Sequence, residues 1–210
     1  MTTPTSFIVH SRREVNTALR EGQYFYSDIR REGIVLYELD DEPLAEPKVL
    51  SLQQTYRSAK ENFDSRFPTG VRRLVGFQFE VGQLKNDRKW TNDAAFSLHQ
   101  AIEHAYAALL LTLTNYSPPS HNLQFLRSLA EAQDRRLTEI WPRDQRRYVA
   151  WFNTLNEAYV KARYSKHYGI SDEALAWLGE RTSALHILVE KICREHLAKL
   201  QKAAEQSIQA

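Results

Sequence analysis

The 210-residue chain is 42% hydrophobic and 26% charged, close to the averages for globular proteins, so a core of ordinary size is within reach. A net charge of +2 is too small to argue for nucleic acid by itself. Cys193 is the only cysteine, which excludes an internal disulfide and any cysteine-based zinc site. The opening "MTTPTSFIVHSRREV" lacks the basic-then-apolar pattern of a secretion signal, and the longest apolar run, "AYAALLLTLT", is too short to span a bilayer. A soluble cytoplasmic protein without a membrane partner is the expectation.

In chain order, "FIVH" reads as a short strand. Ser11 is a plausible N-cap for "RREVNTALREG", with Gly22 as its stop. "QYFYSDI" and "GIVLYEL" are rich in β-branched and aromatic residues and joined by "RREG", which predicts a β-hairpin over Tyr24–Leu39. The expected first unit, residues 1–45, is therefore a short α/β segment that cannot bury both sides of a sheet alone. A Pro-containing linker, "DDEPLAEPKVL", leads into residues 46–210, where helical periodicity takes over.

There the spacing predicts helices over Ser51–Phe67, ended near Pro68, and over Val71–Leu84. A long apolar helix follows over Trp90–Thr114, broken by "NYSPPS". A shorter one capped by Ser120 runs to about Arg136, and another covers Asp144–Tyr164. Ser171, followed by Asp172 and Glu173, opens a last helix that runs past Lys199. The fold class is mainly α, an up-and-down helical bundle behind a short α/β segment.

Two polar clusters stand out. The helix around Trp90–Thr114 is apolar nearly all round, yet carries His99, Gln100, Glu103 and His104 in its first half. His99 and Glu103 are four apart and share a face; a wet edge of the bundle or a dimer contact is the plain alternative to a site. In "NEAYVKARYSKHYGIS", Arg163 and His167 are also four apart, and one face presents both if the helix persists that far. Such a pair suits metal-independent RNA cleavage, the histidine moving a proton and the arginine stabilising the phosphorane-like charge. Favourable charge at a helix end explains it equally well. No Gly-rich phosphate loop, Gly-x-Ser-x-Gly elbow or His-x-x-x-His metal spacing is present. "RRL" and "RDQRR", around Trp141, form a basic, aromatic-adjacent stretch that is either a phosphate contact or a solvated loop.

Taken together, "AAFSLHQAIEHAYAALLLTLTNYSPPSHNLQFL" and "FNTLNEAYVKARYSKHYGISDEALAWL" resemble the HEPN (higher eukaryotes and prokaryotes nucleotide-binding) family, over roughly Phe77–Leu197. The first segment is similar to the tail of the nucleotidyltransferase domain that precedes HEPN in one bacterial subgroup. That domain's Gly-Ser and Asp-x-Asp motifs are missing, and Asp28 alone cannot hold two metals, so transferase activity is not expected of this chain. The resemblance implies a helical bundle, usually a homodimer, with a cleft near the dimer interface and no cofactor. Its nuclease members carry an arginine followed after four to six residues by a histidine. Arg163 matches that arginine, but only three residues separate it from His167; Arg181 and His186 have the right gap but lie mid-helix and are read as coincidence.

Three functions stay open on these grounds. One is a nucleotide- or RNA-binding module, part of a nucleotidyltransferase–HEPN (toxin–antitoxin-like) system whose transferase domain is separate or missing. Another is an endoribonuclease using Arg163 and His167, and the third is a dimerisation bundle without ligand. For the first, Glu103, with His99 and Gln100, is expected to face Arg163 and aim it at the ligand, with Tyr164, His167 and Tyr168 shaping the pocket.

Overall fold

Ser11 acts as its position predicts. In the computed structural model, which describes residues 8–87 and 89–209, its hydroxyl accepts from Glu14 N while the Glu14 carboxylate reaches back to Ser11 N. This capping box starts helix α1, Arg12–Arg20. Gly22 then turns the chain at φ 72°, a left-handed conformation that glycine adopts without strain. A side chain there would also strike the Leu50 side chain and the Lys48 carbonyl, at 2.6 and 2.8 Å.

The predicted hairpin does not form. Tyr24–Glu32 is helix α2, and no strand occurs among the described residues. Of the expected first strand, Phe7 lies outside the described residues and Ile8–His10 are irregular. The reason is tertiary. On a strand, Phe25 and Tyr26 would point to opposite faces. On α2 both reach Tyr116: Phe25 stacks on its ring at 4.1 Å and Tyr26 meets it edge-on at 5.4 Å. With Ala18 and Leu19 these rings form a small second core, so β propensity loses to packing. The intended second strand, Gly33–Leu39, is left without regular structure, with Ile34, Val35, Leu36, Tyr37 and Leu39 all 66–92% exposed.

The segment is tied down beyond these rings. Ala45 N donates to Asn16 Oδ1 and Lys48 N to the Leu19 carbonyl, both at 2.8 Å, and Tyr24 shares a hydrogen bond with Thr55.

Helix α3 runs Leu52–Gln83, 32 residues without a break, where the sequence predicts two helices divided at Pro68. Ser51 and Gln54 form its capping box. Proline inside a helix forfeits one hydrogen bond and crowds the preceding turn, at a cost of about 3 kcal/mol. Here Phe63, Phe67 and Phe77 are buried on both sides of an exposed Pro68, so the core holds the two halves in one line.

Helix α4, Trp90–Thr114, matches its predicted bounds and lies at the centre. Leu98, Ala101, Ile102, Ala105 and Leu109 are fully buried. It ends where Asn115 takes the left-handed conformation (φ 54°) and accepts from Asn62 Nδ2 at 2.7 Å and Ser58 Oγ at 3.1 Å, which pins it to α3.

The remaining boundaries shift slightly. Asn122, not Ser120, caps helix α5, Leu123–Gln133, and a 3₁₀ turn covers Arg135–Glu139. The helix expected over Asp144–Tyr164 is two pieces, α6 (Arg146–Asn156) and α7 (Ala158–Tyr164), interrupted at Glu157. Ser171 accepts from Ala174 N and opens helix α8, Asp172–Gln209. Along α8, Phe77 meets Gly179 and Tyr56 meets Gln201, so α8 runs antiparallel to α3. Gly179 is required by that contact: a β-carbon there would come within 2.6 Å of the Phe77 ring.

Candidate functional site

The polar half of α4 exists because a loop and α7 lie against it. His99 is fully buried and its Nε2 lies 3.0 Å from the His121 carbonyl. Burial disfavours the imidazolium and pushes the pKa of His99 down to about 4, so the ring is neutral and Nε2–H is the donor. One histidine thus holds the loop 115–122 onto α4. Its Nδ1 is left without a hydrogen-bond donor and lies 3.7 Å from the Glu103 carboxylate.

Glu103 faces the loop side chain instead. His121 Nδ1 stands 2.9 Å from Glu103 Oε2, and Gln100 Nε2 donates to the same oxygen at 3.1 Å. The His121 ring stacks on Tyr159 of α7 at 3.5 Å, with planes 13° apart. His99 and Phe96 also approach Tyr159, at 5.6 and 6.0 Å. The face carries a carboxylate, an imidazole and a phenol ring in sequence, from α4 through the loop to α7.

Arg163 closes that sequence, though not by the expected pairing with Glu103. Its Nε donates to the Tyr159 carbonyl at 2.7 Å. The guanidinium carbon lies 4.8, 4.5 and 5.0 Å from the ring centres of Phe96, Tyr159 and Tyr164. Such cation–π contacts hold a guanidinium in place without neutralising it. Arg163 is exposed, and none of the ion pairs among the described residues involves it.

A model of the HEPN domain matches residues 79–192, more than half of the chain, from the end of α3 to the middle of α8. The chain belongs to the HEPN family. Comparison with curated proteins gave no match. The matched region contains every residue of the face just described.

Within this HEPN domain the structure gathers His99, Gln100 and Glu103 around His121, and Arg163 with Tyr164 around Tyr159. It does not place His167 on the helix with Arg163. α7 stops at Tyr164, and His167 stands in the following turn, exposed, with its backbone N–H donating to Ser165 Oγ at 3.2 Å. Tyr168 turns inward, its hydroxyl donating to the Thr154 carbonyl at 3.3 Å, and burial raises its pKa. His186 sits in the core with Nε2 3.0 Å from the Ala101 carbonyl, five positions and about 140° around the helix from Arg181. Asp28 pairs with Arg31 at 2.6 Å on exposed α2. Among the described residues no group of three or more His, Cys, Asp or Glu is placed to hold a metal, and no helix is long and apolar enough to cross a membrane.

His121 and Tyr159 are the members that reading the sequence passes over. Both lie in stretches that carry the HEPN resemblance, "SHNL" and "AYVKARY". Nothing in one dimension signals that a loop histidine stacks on a tyrosine 38 positions later.

Proposed function

We propose that this HEPN domain binds nucleotide or RNA, with Arg163 as the phosphate ligand and the exposed rings of Tyr164 and His121 as the surface on which a base stacks. The observation that supports it is the Arg163 guanidinium: exposed, in no ion pair among the described residues, and held over three aromatic rings. A solvated arginine usually loses much rotamer freedom on binding an anion; one already held by rings loses less. Stacking of a base on an aromatic ring adds about 1–3 kcal/mol and tolerates any base, which suits a module that reads phosphate and ring together. Glu103 holds His121 within this surface, its Oε2 lying 2.9 Å from His121 Nδ1.

The test is fluorescence anisotropy with a labelled 12-nucleotide uridine oligomer. Arg163→Ala should weaken binding about tenfold and lower the salt slope by about one, with the circular dichroism spectrum unchanged. Arg163→Lys should fall between, since it keeps the charge and loses the planar stack. Equal binding by wild type and Arg163→Ala would refute the reading. The same incubation in excess chelator addresses the nuclease alternative. Cyclic-phosphate ends that disappear in both Arg163→Ala and His167→Ala would make the protein an endoribonuclease, whereas intact RNA leaves binding as the function.

A further inference from the structure

A ladder of contacts between α5 and α6 leads from the Arg163 face to a second gathering of rings and guanidinium groups. Its rungs run antiparallel. After His121 on Tyr159, Leu123 N donates to Asn156 Oδ1 at 2.6 Å and Gln124 Nε2 to Asn153 Oδ1 at 2.6 Å. Arg127 then lies 5.4 Å from the Phe152 ring centre. Beyond it opens a pocket of about 340 Å³ lined by Gln124, Arg127, Trp141, Arg143, Tyr148 and Asn153 among others.

Charge and shape at this far end suit a phosphate beside a ring. Arg127 is only 7% exposed, with Nε on Glu131 and Nη2 donating to the Trp141 carbonyl at 3.1 Å. Arg143 reaches the same Glu131 at 3.6 Å and is 69% exposed. One carboxylate therefore serves two guanidinium groups, and the pocket keeps excess positive charge. Arg147 rests over Tyr148 and Trp151, 5.0 and 5.5 Å from their ring centres, the same mode of support that Arg163 has. Its partner Glu173 is 3.3 Å away with both side chains more than half exposed, a solvent-screened pair that a phosphate can displace. Tyr148 in turn stacks on Trp177 at 4.4 Å, which fixes its ring. This cluster contains the basic stretch "RDQRR", which the Arg163 face leaves without a role.

We propose that this pocket is a second phosphate-and-base subsite, so that the ligand is a single-stranded oligonucleotide laid along α5 and α6 rather than a mononucleotide. The inference rests on the reading that Arg163 binds a nucleotide phosphate. From Tyr148 to Asn156 the helix rises about 12 Å, with Tyr159 a further turn on, so the two ends are too far apart for one nucleotide. Single-strand binding sites begin at about four nucleotides, enough chain to reach from one end to the other. The amide side chains between the ends supply hydrogen bonds, and bases can splay onto rings only where they are unpaired.

The experiment titrates the full chain with the labelled 12-nucleotide uridine oligomer and, by calorimetry, with uridine monophosphate. The double variant Arg143→Ala/Arg147→Ala changes side chains that are mostly exposed and leaves Arg127 in place. It should bind the oligomer about tenfold more weakly, with a salt slope smaller by about two, while uridine monophosphate binds as to wild type. Arg163→Ala should weaken both ligands. Arg13→Ala/Arg57→Ala, which removes the same charge on α1 and α3, should leave both unchanged. If the Arg143/Arg147 variant binds the oligomer like wild type, or if the Arg13/Arg57 control loses as much, the second subsite is refuted while the Arg163 reading stands on its own variant. If wild type binds neither ligand, both readings fail together.

Discussion

Replacing Trp141 with alanine should lower the free energy of unfolding by about 3–5 kcal/mol, the range for removing a large aromatic from a core. Trp141 is 1% exposed and lies against Phe152 at 4.7 Å and Trp177 at 6.3 Å. Its indole N–H donates to the Tyr106 hydroxyl at 2.7 Å, so a buried polar pair joins the loop after the 3₁₀ turn to the middle of α4. Arg127 donates to the carbonyl of the same residue, which makes Trp141 the point where α4, α5 and α6 meet. Tyr106→Phe isolates the hydrogen bond from the packing. It should cost about 1–3 kcal/mol, because the indole N–H then stays buried without an acceptor. Urea denaturation followed by circular dichroism measures both. A loss below about 1 kcal/mol for Trp141→Ala would mean that this junction does not hold the bundle together.

Acid should destabilise the protein through His99, by about 3 kcal/mol between pH 6.5 and pH 4. The sign follows from where protons bind. The unfolded chain takes up a proton on this ring near pH 6.5, whereas the folded protein keeps the buried ring neutral down to about pH 4. Between those values the unfolded state holds more protons, so stability falls as the pH falls, and below pH 4 this ring adds no further loss. His186, whose pKa burial also lowers, acts in the same direction. The measurement is therefore a difference: the fall in unfolding free energy from pH 7 to pH 4.5 for wild type, less that for His99→Gln. Glutamine can still donate to the His121 carbonyl and does not titrate, so its profile should be flatter. Identical profiles would show that His99 is solvated and that the loop is not held through it.

How much of this was legible beforehand differs between elements. Caps were readable because they are local: Ser11 with Glu14, and Ser171 with Ala174, satisfy backbone groups within one turn. The bounds of α4 were readable because an apolar run that long admits only one regular structure, and "NYSPPS" cannot continue it. Pro68 misled, since its penalty is local but the compensating burial of Phe63, Phe67 and Phe77 comes from α4 and α8. "YFYSDI" misled for the same reason in reverse, as a strand-like composition became a helix to bring two neighbouring rings onto Tyr116.

The site divides along the same line. The one-dimensional pattern already marked which residues were unusual: ionisable side chains on an apolar helix, and an arginine beside aromatics in "AYVKARY". It also determined the family, because these stretches keep their order and spacing whatever their partners are. The pairings came from packing. Glu103 went to His121 rather than Arg163, because His99 draws the loop carbonyl onto α4 and delivers His121 to within 2.9 Å. Arg163 was left to the rings of Phe96, Tyr159 and Tyr164. Helix periodicity specifies which side chains share a face, but the groups that meet across a bundle depend on how the loops between helices are held. Here the His99 hydrogen bond to the His121 carbonyl holds the loop together with the ring contacts of Tyr116 and the contacts of His121 with Glu103 and Tyr159.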